Sequence, residues 1–161
     1  MQPRPRAGRI RAARGLTPRG SYNAVSMHVF CETRLKVRYA ETDLMGVVYY
    51  ANYLVWMEVG RVALCRQLGF SYRDMEDRDG VLLAVAEAKC RYRNSARFDD
   101  EVIVKTWLER ADPRMAVFGY EMRLAEGGAI LAEGSTTHLF VNREMKRARL
   151  PEKYFPMFGL R

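Results

Sequence analysis

The sequence predicts an α+β fold in which one long helix packs against an antiparallel sheet. Three observations predict it. The run "CETRLKVRYAE" from Cys31 alternates apolar and charged residues, a proline-free apolar stretch runs from Asn52 to Leu68, and four strand-like segments follow Gly80 with only short turn-forming stretches between them.

In the first run Thr33, Leu35, Val37 and Tyr39 alternate with Glu32, Arg34, Lys36 and Arg38, the period of a half-buried strand. A Gly-containing turn, "ETDLMGVV", then leads into "NYLVWMEVGRVALCRQLG". There the spacing predicts a helix with Asn52 as N-cap and Gly69 just past the end. Apolar side chains cover most of its circumference, so burial on nearly all sides is expected. "SYRDMEDRDG" reads as short helical turns opened by Ser71 and closed by Gly80. Strands are expected at about 81–94, 101–110, 114–125 and 129–142, joined by "SARFDD", "ADPR" and "EGG". Connections this short favour antiparallel neighbours in a meander, with the sheet wrapped around the helix.

At 161 residues the chain is the size of one domain, and 48 % hydrophobic with 29 % charged residues is ordinary globular composition. The formal charge of +8 is unevenly spread. Residues 1–26 hold six arginines and no acid; the other 21 basic side chains face 19 acidic ones, a net of +2 over residues 27–161. We therefore expect a disordered basic extension over 1–26 and a domain over 27–161, with no nucleic-acid partner. No run approaches the roughly 18 apolar residues of a membrane span, so a cytoplasmic protein is expected. Three scattered cysteines and two histidines supply no disulfide framework and no metal-ligand spacing. No metal and no cofactor are expected. A nucleophile elbow, a Walker loop and a dinucleotide fingerprint are also missing.

"RYAETDLMGVVYYANYLVWMEVGR", with "YRNSARFDDEV" and "VNREMKRARLPEKY" further on, resembles the 4-hydroxybenzoyl-CoA thioesterase family of hotdog-fold acyl-CoA thioesterases, its Tol-Pal-associated branch included. The likeness covers about residues 30–155. Asp43, Gly46, Val47, Val48, Tyr49, Tyr50, Asn52 and Tyr53 match the family pattern. The Tol-Pal-associated branch often has histidine where this chain has Tyr50, whereas the aryl-CoA branch has tyrosine. The resemblance implies a hotdog fold and hydrolysis of an acyl-CoA or acyl-carrier-protein thioester. It also implies a homodimer or homotetramer with sites built across subunits.

The chemistry suits the residues. A thioester expels a thiol without a strong acid, so the reaction needs a base or nucleophile beside the carbonyl carbon and donors for the oxyanion. Asp43 is the expected catalytic carboxylate, attacking directly or activating water. Gly46 lets backbone and substrate approach, and free N–H groups around Tyr50 to Asn52 at the helix start, with Val48 before them, are the expected oxyanion and substrate contacts. Glu58, on the helix, is the rival carboxylate, but pairing with Arg61 at i+3 is the simpler expectation. Tyr50 is a candidate pocket-lining residue, and His138 is expected to be a core or surface histidine rather than a catalyst. For the phosphates of CoA the resemblance points to Arg110 and Arg114 in the middle hairpin and to Arg143, Lys146, Arg147 and Arg149 near the C-terminus. Of these, Arg110, Arg114, Lys146 and Arg147 are the expected contacts. The alternative function is a non-catalytic acyl-CoA or acyl-carrier-protein binder on the same fold. Hotdog dehydratases rely on histidine motifs that this chain lacks.

Overall fold

A computed structural model describes residues 29–161; the basic extension expected over 1–26 lies outside them. Strand β1 (Phe30–Lys36) leads through a 3₁₀ turn (Tyr39–Glu41) to helix α1 (Asn52–Gln67) and helix α2 (Tyr72–Asp79). Strands β2 (Leu82–Tyr92), β3 (Glu101–Asp112), β4 (Met115–Leu124) and β5 (Ile130–Val141) follow, and a 3₁₀ segment (Glu152–Phe158) comes last. Local punctuation acts as expected. Gly69 (φ +80°) follows α1, Ser71 Oγ caps α2 by accepting the Asp74 N–H, and Gly80 (φ +64°) ends α2.

All five strands pair antiparallel, in the order β1-β3-β4-β5-β2. The meander expectation holds for β3 to β5 and fails for β2, which pairs with β5 rather than β3. The reason is competition for edges. β1 occupies the free edge of β3, with Thr33 opposite Val104, which leaves β5 as the open edge for β2. The 93–100 connection therefore crosses the end of the sheet, held by the N–H of Arg93 on the Leu131 carbonyl and of Asp99 on the Val37 carbonyl.

The core lies between α1 and one face of the sheet. Tyr53, Trp56, Met57, Gly60, Leu64 and Cys65 are the buried residues of α1. At Gly60 the helix rides so close to β3 that a Cβ would collide with Thr106 Oγ1. The all-round burial expected for this helix is not found. A single sheet covers one face only, and Leu54, Val55 and Val59 stay 40 %, 49 % and 42 % exposed. Among the described residues no helix is long and apolar enough to cross a membrane.

Candidate active site

Thr42 and Val48 face each other in an antiparallel bridge, and the chain reverses between them. The Asp43 N–H donates to the Val47 carbonyl and the Gly46 N–H to the Asp43 carbonyl, both at 2.9 Å. Gly46 takes φ +71°, the left-handed region that penalises side chains, so this loop requires glycine there. Asp43 is half-buried. Its Oδ1 accepts the Met45 N–H at 2.8 Å, and among the described residues nothing hydrogen-bonds Oδ2. The carboxylate thus shapes the turn with one oxygen and keeps the other open.

Helix α1 starts beside this turn without a side-chain cap. The N–H groups of Asn52, Tyr53 and Leu54 donate to the carbonyls of Tyr49, Tyr50 and Ala51, whereas those of Tyr50 and Ala51 have no partner among the described residues. Asn52 is the first helical residue and not the cap. Its Nδ2 donates to the Glu41 carbonyl at 2.9 Å. Val48 is buried, its N–H held by the Ala96 carbonyl at 2.8 Å. Gly46, Val48, Tyr50 and Asn52 therefore all gather at the Asp43 turn, but only Tyr50 offers a free main-chain donor; the others hold the turn in shape.

The side chain of Tyr50, a candidate pocket-lining residue, is 59 % exposed and packs against an aromatic partner that sequence reasoning missed. Tyr92, at the end of β2, sits edge-on to both Tyr50 (centroids 6.5 Å apart) and Tyr53 (5.3 Å), and its hydroxyl donates to the Tyr50 carbonyl at 3.1 Å. The two tyrosines are 42 residues apart in the chain, so no local pattern joins them. Trp56 and Tyr53 are buried core, with ring centroids 4.8 Å apart.

A second missed residue is Glu41, buried at 5 % exposure directly beneath the turn. Burial alone would raise its pKa. The Arg38 guanidinium, the Arg38 N–H and the Trp56 N–H outweigh that and hold the carboxyl below the usual range.

The expected Glu58–Arg61 pair does not form. Arg61 turns inward, its Nε donating to the Tyr72 hydroxyl at 3.0 Å, while Glu58 stays exposed with no ion pair among the described residues. Arg61 lies over a stripe of buried polar side chains in which the Tyr120 hydroxyl meets Thr136 Oγ1 at 2.7 Å and His138 Nε2 meets the same oxygen at 2.8 Å. His138 is fully buried, which decides for the core between the core and surface positions left open by the sequence. Burial first, and then the Arg61 charge, lower its pKa to about 4. The unfolded chain, with histidine near 6.5, then binds this proton more readily than the native state. Stability should be flat above about pH 7 and fall by about 3 kcal/mol as the pH drops from 6.5 to 4. Urea midpoints measured across that window check this, and His138→Gln should flatten the slope between pH 6.5 and 4.5.

The basic residues separate into two groups. Arg114, in the β3–β4 hairpin, and Arg147 and Arg149, in the C-terminal segment, line one cavity of about 260 Å³ with Ala148. The Leu150 N–H on the Pro113 carbonyl joins the two segments, and the Ala148 N–H on the Phe140 carbonyl ties the C-terminal segment to β5. Arg110 and Lys146 do not line this cavity; Lys146 sits in a tight turn whose Asn142 Oδ1 accepts its N–H at 2.9 Å.

Comparison with known proteins gives this geometry its context. YneP of Bacillus subtilis, provisionally named an acyl-CoA thioesterase, is 41 % identical over 130 residues, covering 81 % of this chain and 92 % of that one. The acyl-CoA thioesterase YbgC of Haemophilus influenzae is 28 % identical over 120 residues, covering 74 % of this chain and 87 % of its own. The DHNA-CoA thioesterase of Staphylococcus aureus superposes with a TM-score of 0.74 at 37 % identity, covering 81 % of this chain and 86 % of that structure. The family model of the thioesterase-like superfamily spans residues 37–155, from the end of β1 to the last 3₁₀ segment, and takes in the Asp43 turn, α1 and the whole meander. On that span, and on the identity to YneP, this chain belongs to the thioesterase-like superfamily.

Proposed function

We propose that this protein hydrolyses the thioester of an acyl-CoA, with Asp43 as the reacting carboxylate. The observation that carries this reading is the half-buried Asp43 with Oδ2 open, next to the unpartnered N–H groups of Tyr50 and Ala51. A thioester carbonyl placed between them would have an oxygen base on its carbon and two donors on its oxygen, at the positive end of α1. Asp43 either takes a proton from water as that water adds to the carbonyl carbon, or adds itself to form an anhydride that water opens. In both routes the C–S bond breaks, and the CoA thiolate leaves and takes up a proton.

The exposed rings of Tyr50 and Tyr92 support an aromatic acyl group, and with it the hydroxyaryl-CoA branch of the family; the name of the Staphylococcus aureus relative agrees. A second copy of the chain is the proposed partner. Among the described residues β2 pairs only with β5, leaving its outer edge open, and Leu54, Val55 and Val59 form an uncovered apolar strip on α1. Tyr92 belongs to that edge strand, so the site would open onto the subunit boundary.

Thiol release from a panel of aryl-, short- and long-chain acyl-CoAs and acyl-carrier proteins tests the reading. Turnover of at least one aryl-CoA is expected; binding without any thiol release would favour the non-catalytic alternative. The cavity of Arg114 and Arg147 is the proposed seat of a CoA phosphate. Replacing both by alanine should raise KM for acyl-CoA roughly tenfold with kcat little changed, and the difference should shrink in high salt. An unchanged KM would remove CoA from this cavity.

A further inference from the structure

Glu41 is the only buried carboxylate among the described residues, and five hydrogen bonds converge on it. Its Oε2 accepts the Arg38 N–H at 2.7 Å, and its Oε1 accepts both Arg38 Nη2 and Trp56 Nε1 at 3.1 Å. Its own carbonyl accepts the Tyr49 N–H at 2.8 Å and Asn52 Nδ2 at 2.9 Å. These donors come from the end of β1, from the exit of the Asp43 turn, and from the first and second turns of α1. Glu41 stands two residues before Asp43. At the far end of the turn Leu44 and Met45 project into solvent, and the one side chain reaching it from outside the turn among the described residues is the exposed Arg97, whose Nη1 donates to the Gly46 carbonyl at 3.3 Å. The position of Asp43 relative to the helix start is therefore decided at the base of the loop.

We propose that Glu41 is a positioning residue for Asp43: its buried carboxylate clamps the turn to α1, and so sets the place of the Asp43 oxygens against the Tyr50 and Ala51 N–H groups. This rests on the reading of Asp43 as the reacting group. The clamp depends on the acid and not on its shape alone. Three donors point at two carboxylate oxygens, so an amide in its place would set an NH₂ against an N–H and leave one donor unsatisfied.

The test uses the full chain with benzoyl-CoA, or whichever aryl-CoA it turns over fastest. Glu41→Gln should lower kcat ten- to a hundredfold with KM within about threefold, the scale of a displacement of about 1 Å at a reacting group. Trp56→Phe, which keeps a ring in the core and removes only the N–H, should lower kcat in the same direction and carries the test should Glu41→Gln fail to fold. The separating measurement is the cycle with Asp43→Asn. Where that substitution has already removed the reacting group, Glu41→Gln should cost less than about twofold more. A folded Glu41→Gln protein with kcat within twofold of wild type overturns the proposal. So does an equal fold-loss in both backgrounds, the mark of a merely structural role. Full turnover in Asp43→Asn alone sinks the Asp43 reading and this proposal with it, whereas an inactive Asp43→Asn beside a fully active Glu41→Gln sinks only this one.

Discussion

Replacing Asp43 by asparagine should lower turnover by on the order of 10² or more while acyl-CoA binding is largely kept. The amide preserves the size of the side chain and an oxygen to accept the Met45 N–H, so the turn survives. What disappears is the charge, and with it the base or nucleophile on the open oxygen; the loss of a positioned base is worth a factor of about 10² to 10⁴. Steady-state hydrolysis of the best substrate gives the rate, and calorimetry gives the affinity. Glu58→Gln is the informative comparison. Because Arg61 bonds Tyr72 instead of Glu58, no ion pair is lost, and stability should move by no more than about 0.5 kcal/mol with little change in rate. Near-normal turnover in Asp43→Asn with collapse in Glu58→Gln would move the reacting carboxylate onto the helix.

The second large effect is expected at the uncovered strip of α1. Val55 and Val59, 49 % and 42 % exposed, are one helical turn apart on α1. If a second copy covers that face, a charge placed there must be desolvated on association, so Val55→Glu with Val59→Glu should turn a dimer or tetramer into monomer. Because Tyr92 lies on the edge strand and bonds the Tyr50 carbonyl, turnover should fall at least tenfold with assembly. Sedimentation at micromolar concentration and thiol release on the same samples decide this. A wild-type protein that is monomeric and fully active would refute a shared site.

Much of the molecule was legible from local pattern. The helix from Asn52, its Gly69 exit and the Ser71-to-Gly80 helical segment obey signals acting within one turn of chain, and the four strands after Gly80 begin and end within about two residues of their expected bounds, whereas β1 stops at Lys36, short of the Tyr39 that its alternation reached. The Asp-x-x-Gly spacing of the site turn was equally readable, since Gly46 answers a backbone requirement three residues from Asp43.

The sequence by itself thus determined the elements, the turn and the family likeness, because propensity, periodicity and φ preference depend on near neighbours. Only the tertiary structure decided the rest. β2 crossed to the edge of β5 because β1 had already filled the edge of β3, a competition between strands separated by both helices. Arg61 turned from Glu58 to Tyr72 because the helix flank faces a buried hydroxyl there, and a half-buried guanidinium keeps the partner it can reach without water. Glu41, Trp56 and Tyr92 gained their places at the site in the same way. Their donors and acceptors meet only when the end of β1, the start of α1 and the end of β2 pack together, and a buried polar atom must take whichever partner the folded chain brings to it.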